Sequence, residues 1–294
     1  MPSGADVITL DRGVVLHQRY GLQALLGSGS MAEVWLAHDE ERKQDVAIKI
    51  VAALLAPSDQ ARQRFAREVA AIGRIHHPNV VRLLDHGTLE DNRPFLVMDY
   101  QGGSTLDNRL QEQGQLAIEE VFDLGCQLAA GLGAAHGEGV IHRDLKPANI
   151  LLVEDASTTI GQVKILDFGV ARMRDIAQES TSQHLTATGT MLGSPRYMPL
   201  EVARGADDVD ERSDLFELGA VLYHALTGSP PFKGKAIGEI MRKIINHQVL
   251  PLQTARPDAP LELVDVVERA MARRPEDRYA NTAELQWALD VASS

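Results

Sequence analysis

The 294-residue chain sets 29 Lys and Arg against 41 Asp and Glu, a formal net charge of −12 at pH 7. That balance argues against nucleic acid or an anionic membrane as a main partner, because phosphate binding needs a basic footprint. No apolar run approaches the ~18 residues that a membrane span requires. With 44% hydrophobic and 24% charged residues the chain can build a sizeable core, in two ordinary domains or one two-lobed unit. Met1 to Gly13 carries acids where a signal peptide has a basic region and an apolar stretch. The one cysteine, Cys126, cannot form an internal disulfide, so a cytoplasmic location with Cys126 as a small core residue is the simplest expectation.

In chain order, Tyr20 to Leu26 reads as a strand, Gly27-Ser28-Gly29-Ser30-Met31-Ala32 as a turn, and Glu33 to Ala37 as a second strand. A glycine-rich turn between strands lets backbone amides approach phosphates that side chains would keep away. A dinucleotide fold would need a helix after the loop, which this pattern lacks. Val46 to Val51 is a third strand with Lys49 inside it. Pro57-Ser58-Asp59 offers capping oxygens for a helix whose apolar face carries Ala61, Phe65, Val69 and Ile72. Glu68 falls on that same face, where a carboxylate is costly unless paired, and Lys49 is its natural partner. His76-His77-Pro78-Asn79 closes the helix and reads as a structural turn rather than a metal site. Phe95 to Met98 is a buried strand running into Asp99-Tyr100-Gln101-Gly102-Gly103, whose glycines mark a boundary.

Val121, Leu124, Gly125, Leu128, Leu132 and Ala135 recur three and four apart, predicting one face of a helix. Ile141-His142-Arg143-Asp144-Leu145-Lys146-Pro147-Ala148-Asn149 follows, with Pro147 keeping it from being helix interior, and then the apolar strand Ile150 to Val153. Two cations, an acid, an imidazole and an amide between two apolar elements mark a site rather than a plain connection. Val163 to Leu166 predicts a strand that ends at Asp167-Phe168-Gly169. Residues 170–193 are polar and hydroxyl-rich, and Gly193-Ser194-Pro195-Arg196-Tyr197-Met198-Pro199-Leu200-Glu201 follows. Ser213-Asp214-Leu215-Phe216-Glu217-Leu218-Gly219 opens a buried helix that continues through Leu226, and helices complete the rest.

Taken together, these segments resemble eukaryotic-like (Hanks-type) serine/threonine protein kinases of bacterial type. The H-R-D-L-x-x-x-N loop, the V-A-I-K strand and the D-F-G turn are matched residue for residue. The resemblance covers about residues 16 to 291, nearly the whole chain. It implies an α+β, bilobal protein-kinase fold: a residue 1–15 tail, an N-lobe at 16–101 with an antiparallel sheet plus one helix, and a mainly helical C-lobe at 102–291. It also implies a set of roles. Asp144 accepts the substrate hydroxyl proton, Lys146 meets the transferred phosphate, and Lys49, paired with Glu68, holds the α- and β-phosphates. Gly27, Ser28, Gly29, Val34, Ala47, Met98, Asp99, Gln101 and Leu151 surround ATP, with Met98 as gatekeeper and Val34 over the adenine. Asn149 and Asp167 bind Mg2+, with Mn2+ an alternative, and Phe168 packs near Ile72 and His142. Lys49, Asp144 and Asp167 are expected to converge on one metal-bound triphosphate.

The same resemblance makes Thr186 and Thr188 the expected autophosphorylation sites, with Arg143 as the cation that meets the phosphate. Ser194 is expected to contact Asp144 and Lys146. Asp214 is expected to accept hydrogen bonds from the catalytic-loop backbone, and Arg278 to pair with Glu201. Partners would be ATP and protein substrates bearing Ser or Thr, with homodimer formation one route to autophosphorylation. Three departures stand out: Ala32 for the third glycine, Pro199-Leu200 where Ala-Pro or Ser-Pro is expected, and Glu217 where a small or apolar residue is expected. The alternatives are a pseudokinase scaffold that binds nucleotide or partners without efficient turnover, and a small-molecule phosphotransferase of kinase-like fold.

Overall fold

The computed structural model describes residues 9–29, 32–51, 59–168, 195–205 and 209–294, which divide into two compact units. Of the described residues, those from 9 to 76 and from 81 to 102 build the first unit, and 77–80, 103–168, 195–205 and 209–294 the second. Among the described residues no helix is long and apolar enough to cross a membrane.

The first unit contains strands β1 (Val15–Leu16), β2 (Tyr20–Ser28), β3 (Ala32–Asp39), β4 (Gln44–Val51), β5 (Leu83–Thr88) and β6 (Pro94–Asp99). They pair antiparallel in the order β1-β2-β3-β4-β6-β5, with helix α1 (Asp59–Ile72) between β4 and β5. Because strand side chains alternate faces, one face can supply the core while the other is left for chemistry. Trp35, Ala37, Val46, Ile48, Ile50, Phe95 and Val97 form a buried cluster with Tyr20 and Leu22. Val34, Ala47, Lys49 and Met98 take the intervening positions. The register sets Val34 opposite Lys49 and Ala47 opposite Met98, so these four share the other face. Slipping β4 by one residue would exchange the two sets.

The sheet's far end is fixed by charge. Arg19 donates from Nε and Nη2 to the two oxygens of Asp39, both at 2.8 Å, and Asp39 also accepts the amides of Glu41 and Arg42 in the β3–β4 turn. Tyr20 donates its hydroxyl to Asp85 at 2.6 Å, tying β2 to β5.

The second unit begins with a small sheet, β7 (Ser104–Thr105), β8 (Ile150–Val153) and β9 (Gln162–Ile165), in that spatial order. Gly103 leads into it because a Cβ there would stand 2.5 Å from the Leu152 carbonyl oxygen. Helix α2 (Leu106–Gln113), capped by Thr105, precedes α3 (Ile118–Gly137). The six positions predicted for the apolar face of α3 are all buried. Helices α4 (Leu200–Ala203), α5 (Arg212–Thr227), α6 (Ile237–Ile245), α7 (Leu252–Ala255), α8 (Leu261–Ala270) and α9 (Thr282–Ala292) follow. Nearly all of α5 is buried, with α3 and α8 packed against it and α9 packed against α3 and α8. Gly125 lets α3 lie close to its neighbours, since a Cβ would come within 2.8 Å of Leu289 and 3.2 Å of Leu222.

One expectation is corrected here. Cys126 is half-buried rather than a core residue, with its Sγ 3.5 Å from the Asp290 carboxylate. A single residue along a helix turns ~100°, and Cys126 stands one step beyond the buried Gly125. Partial burial and the adjacent carboxylate push its thiol up to about 12.

Candidate active site

The segment between α3 and β8 is not regular structure, so its backbone amides need partners elsewhere. Helix α5 supplies most of them. Asp214, fully buried, accepts the His142 amide at Oδ2 and the Arg143 amide at Oδ1, each at 2.8 Å. His136 of α3 lies 2.7 Å from Asp214 through Nε2, and its Nδ1 is 3.3 Å from Glu211. The Asp144 amide donates to Nδ1 of His142 at 3.3 Å, and the Leu145 amide donates to Glu217 at 2.7 Å. Pro147 opens a single 3-10 turn to Asn149, which costs no hydrogen bond because a first-turn amide has no helical partner.

On this frame Lys146 Nζ lies 2.7 Å from Asp144 Oδ2, and both side chains are largely but not wholly shielded. Asn149 donates from Nδ2 to the Asp144 carbonyl at 2.9 Å. Its own carbonyl accepts the Leu166 amide at 2.9 Å, while His142 Nε2 lies 2.8 Å from the Leu166 oxygen. Asp167 is therefore set by the residue before it, and Ile150 pairs with Ile165 to hold the two strands in register. The His142 and Phe168 rings meet edge to face at 4.8 Å, as expected. Arg143 and Asp167 both adopt left-handed backbone, at φ 63° and 62°.

Other buried polar contacts in the second unit involve Arg278, Tyr197, His224 and Glu217. Arg278 is buried and forks onto Glu201, at 2.6 and 3.0 Å, as the sequence led us to expect. Tyr197, in a 3-10 turn, is 2.7 Å from Nδ1 of His224 on α5. Burial lowers the His224 imidazole to about 4, so at neutral pH it is an uncharged ring that shares a hydrogen bond with the Tyr197 hydroxyl. Burial pushes Glu217 well above the usual carboxylate range, and the adjacent Asp214 pushes it further. Sequence reasoning found no role for Glu217 and did not single out His224. Nothing in their local pattern shows a partner that lies 72 or 27 residues away.

Within the first unit, Gly27 lies opposite Val34, and Ser28 opposite Glu33, at the end of the β2–β3 ribbon. Lys49 is only 7% exposed and Glu68 half-buried. Gln101 follows β6 just beyond Asp99. In the second unit, Leu151 lies on β8 opposite Lys164. His77 forms the predicted turn, its Nδ1 accepting the Asn79 amide at 3.2 Å. Thr186, Thr188, Ser194 and Gly169 lie outside the described residues.

The donors available to a metal in the second unit are hard oxygens, from Asn149 and Asp167, and Asn149 Nδ2 is already committed to the backbone. That chemistry suits a divalent cation that keeps waters and phosphate oxygens as its other ligands. Among the described residues no group of three or more His, Cys, Asp or Glu is placed to hold a metal unaided.

A sheet unit with a buried lysine and a helical unit with an acid–lysine loop fastened to a buried helix place the chain in the α+β class. The protein kinase domain family model matches residues 20–288, and the chain belongs to that family. A serine/threonine-protein kinase, PknB of Mycobacterium leprae, is 36% identical over 274 residues, covering 92% of this chain and 42% of the relative. Serine/threonine-protein kinase pkn3 of Myxococcus xanthus is 35% identical over 280 residues, covering 93% of this chain and 50% of the relative. The chain thus spans about half or less of the length of these curated relatives. Among solved structures, the Mycobacterium tuberculosis PknI kinase domain superposes with a TM-score of 0.74 at 27% identity, over 97% of this chain and all of that one. The fold is the protein-kinase fold, and the family implies use of ATP and a divalent metal.

Proposed function

We propose that the chain is a serine/threonine protein kinase that transfers the γ-phosphate of Mg-ATP to Ser or Thr hydroxyls of proteins. The observation that carries this reading is the Asp144–Lys146 contact at 2.7 Å on a loop whose amides are fastened to α5. Mg-ATP, when bound, supplies the transferable phosphoryl group and part of the charge that offsets it. Asp144 orients the incoming hydroxyl and accepts its proton. Lys146 offsets charge on the moving phosphoryl group, and Lys49, oriented by Glu68, offsets charge on the other phosphates. Asn149 and Asp167 are the groups that would hold Mg2+ or Mn2+. Gly27, Ser28, Gly29, Val34, Ala47, Met98, Asp99, Gln101 and Leu151 surround the nucleotide in this reading.

Thr186 and Thr188 are the proposed autophosphorylation sites, and pairing of two copies would bring them within reach. The net charge of −12 argues against nucleic acid or an anionic membrane as a main partner, and the single cysteine supports a cytoplasmic location. Leu200, at the first position of α4 after Pro199, is where peptide preference would depart from the family pattern.

Transfer of labelled phosphate from ATP to a Ser/Thr protein substrate tests the reading. Asp144→Asn should lower kcat by about 10²–10⁴-fold, and Lys49→Met by about 10²-fold, with unfolding temperatures within a few degrees of the parent. Transfer that survives either substitution would overturn the role given to that residue, and a parent chain that binds ATP without turnover would overturn the reading in favour of a scaffold. Phosphopeptide mapping of the active preparation should find phosphate at Thr186 or Thr188.

A further inference from the structure

Four consecutive amides, from His142 to Leu145, each donate to a side chain rather than to another backbone group. Asp214 takes the first two, His142 the third and Glu217 the fourth. Asp214 and Glu217 are three residues apart on α5, so they share one face of that helix. Glu217 is 2% exposed, and a buried carboxyl with no structural task would be destabilising. The amide it holds belongs to the residue between Asp144 and Lys146, the pair whose side chains meet at 2.7 Å.

We propose that Glu217 is a positioning residue for phosphoryl transfer: by fixing the Leu145 amide it sets the backbone from which Asp144 and Lys146 project. The inference rests on the kinase reading for its catalytic consequence, but the clamp itself is a property of the loop. Glu217 faces Asp214 on its own helix and Asp144 and Lys146 on the loop. Burial and the adjacent Asp214 both push its carboxyl up, and the feature the Leu145 amide meets is an acceptor oxygen at 2.7 Å.

Two substitutions separate these properties. Glu217→Gln keeps an acceptor oxygen that cannot ionise, whereas Glu217→Leu fills similar volume with no acceptor. The expected result is a fall in kcat of about tenfold or more for Glu217→Leu, with KM for ATP changed less than about twofold, because displacing reacting groups by a fraction of an ångström acts on the chemical step. Glu217→Gln should restore kcat to within about twofold of the parent. A role confined to folding would instead lower the unfolding temperature while leaving kcat per folded molecule unchanged.

Hydrogen exchange of the Leu145 amide, read in the full chain, is the second measurement. It should be slow in the parent and in Glu217→Gln, and at least about tenfold faster in Glu217→Leu. An undiminished kcat in Glu217→Leu, a Glu217→Gln as impaired as Glu217→Leu, or fast exchange in the parent would each overturn the proposal. If the parent transfers no phosphate, the kinase reading fails on its own, and the exchange rates still decide whether Glu217 holds the loop. Should Glu217→Leu not fold, the parent's Leu145 exchange rate and the Glu217→Gln kinetics remain decisive.

Discussion

Arg19 donates to both oxygens of Asp39, a side chain with no solvent exposure, while its other nitrogen reaches Glu41 at 2.8 Å. The guanidinium lowers Asp39 to about 2, so the carboxylate's contribution to stability is present above ~4 and lost as pH falls toward 2. Arg19→Met would strand that buried charge. It should destabilise the first unit by roughly 3 kcal/mol in denaturant titration, far more than an exposed ion pair would. His224 works in the opposite direction. Its folded-state pKa of about 4 lies below the ordinary 6.5, so the unfolded chain takes up the proton first. Stability is therefore full above ~6.5, declines as pH drops, and stops declining below ~4, with a total loss of roughly 2 kcal/mol after allowing for partial exposure. His224→Gln still accepts the Tyr197 hydroxyl, and should flatten this part of the stability–pH curve.

At the scale of elements, the buried helices fix the loop and are themselves fixed by close approach. A Cβ on Gly125 would stand 2.8 Å from a Leu289 methyl, the end of a flexible side chain, so Gly125→Ala should cost under ~1.5 kcal/mol. At Gly103 the obstacle is the Leu152 carbonyl, which is backbone and cannot step aside. Gly103→Ala should cost about 2 kcal/mol or more, and thermal unfolding of the pair checks the difference. The elements themselves were largely legible in the sequence. The V-A-I-K motif placed β4, three- and four-residue spacing placed α3, and the apolar run from Ile150 ended where β8 ends. Asp214 and Arg278 were legible too, because their motifs name their partners. Glu217, His224 and the Arg19–Asp39 fork were not. Each depends on which distant group the fold sets opposite it, and local pattern carries no record of that. The same limit misplaced Cys126: helical periodicity is too coarse to separate a buried stripe from its margin.

For the molecule as a whole, catalysis in this reading depends on a charge it does not itself supply. Its net charge is −12, and Asp144 and Asp167 are acids that this reading sets beside a polyanion. Removing divalent metal with a chelator should abolish phosphate transfer, and excess Mg2+ should restore it without refolding. Transfer that persists in chelator would refute the metal roles of Asn149 and Asp167.

Arg143 and Asp167 carry a consequence of their own. Both occupy left-handed backbone that glycine would adopt at no steric penalty, and in Arg143 the Asp214 carboxylate enforces it by holding the amide. Replacing either by glycine would relieve on the order of 1 kcal/mol. Glycine at either place would set that relief against the contacts the two residues make, and would discard the side chains that the proposed chemistry needs.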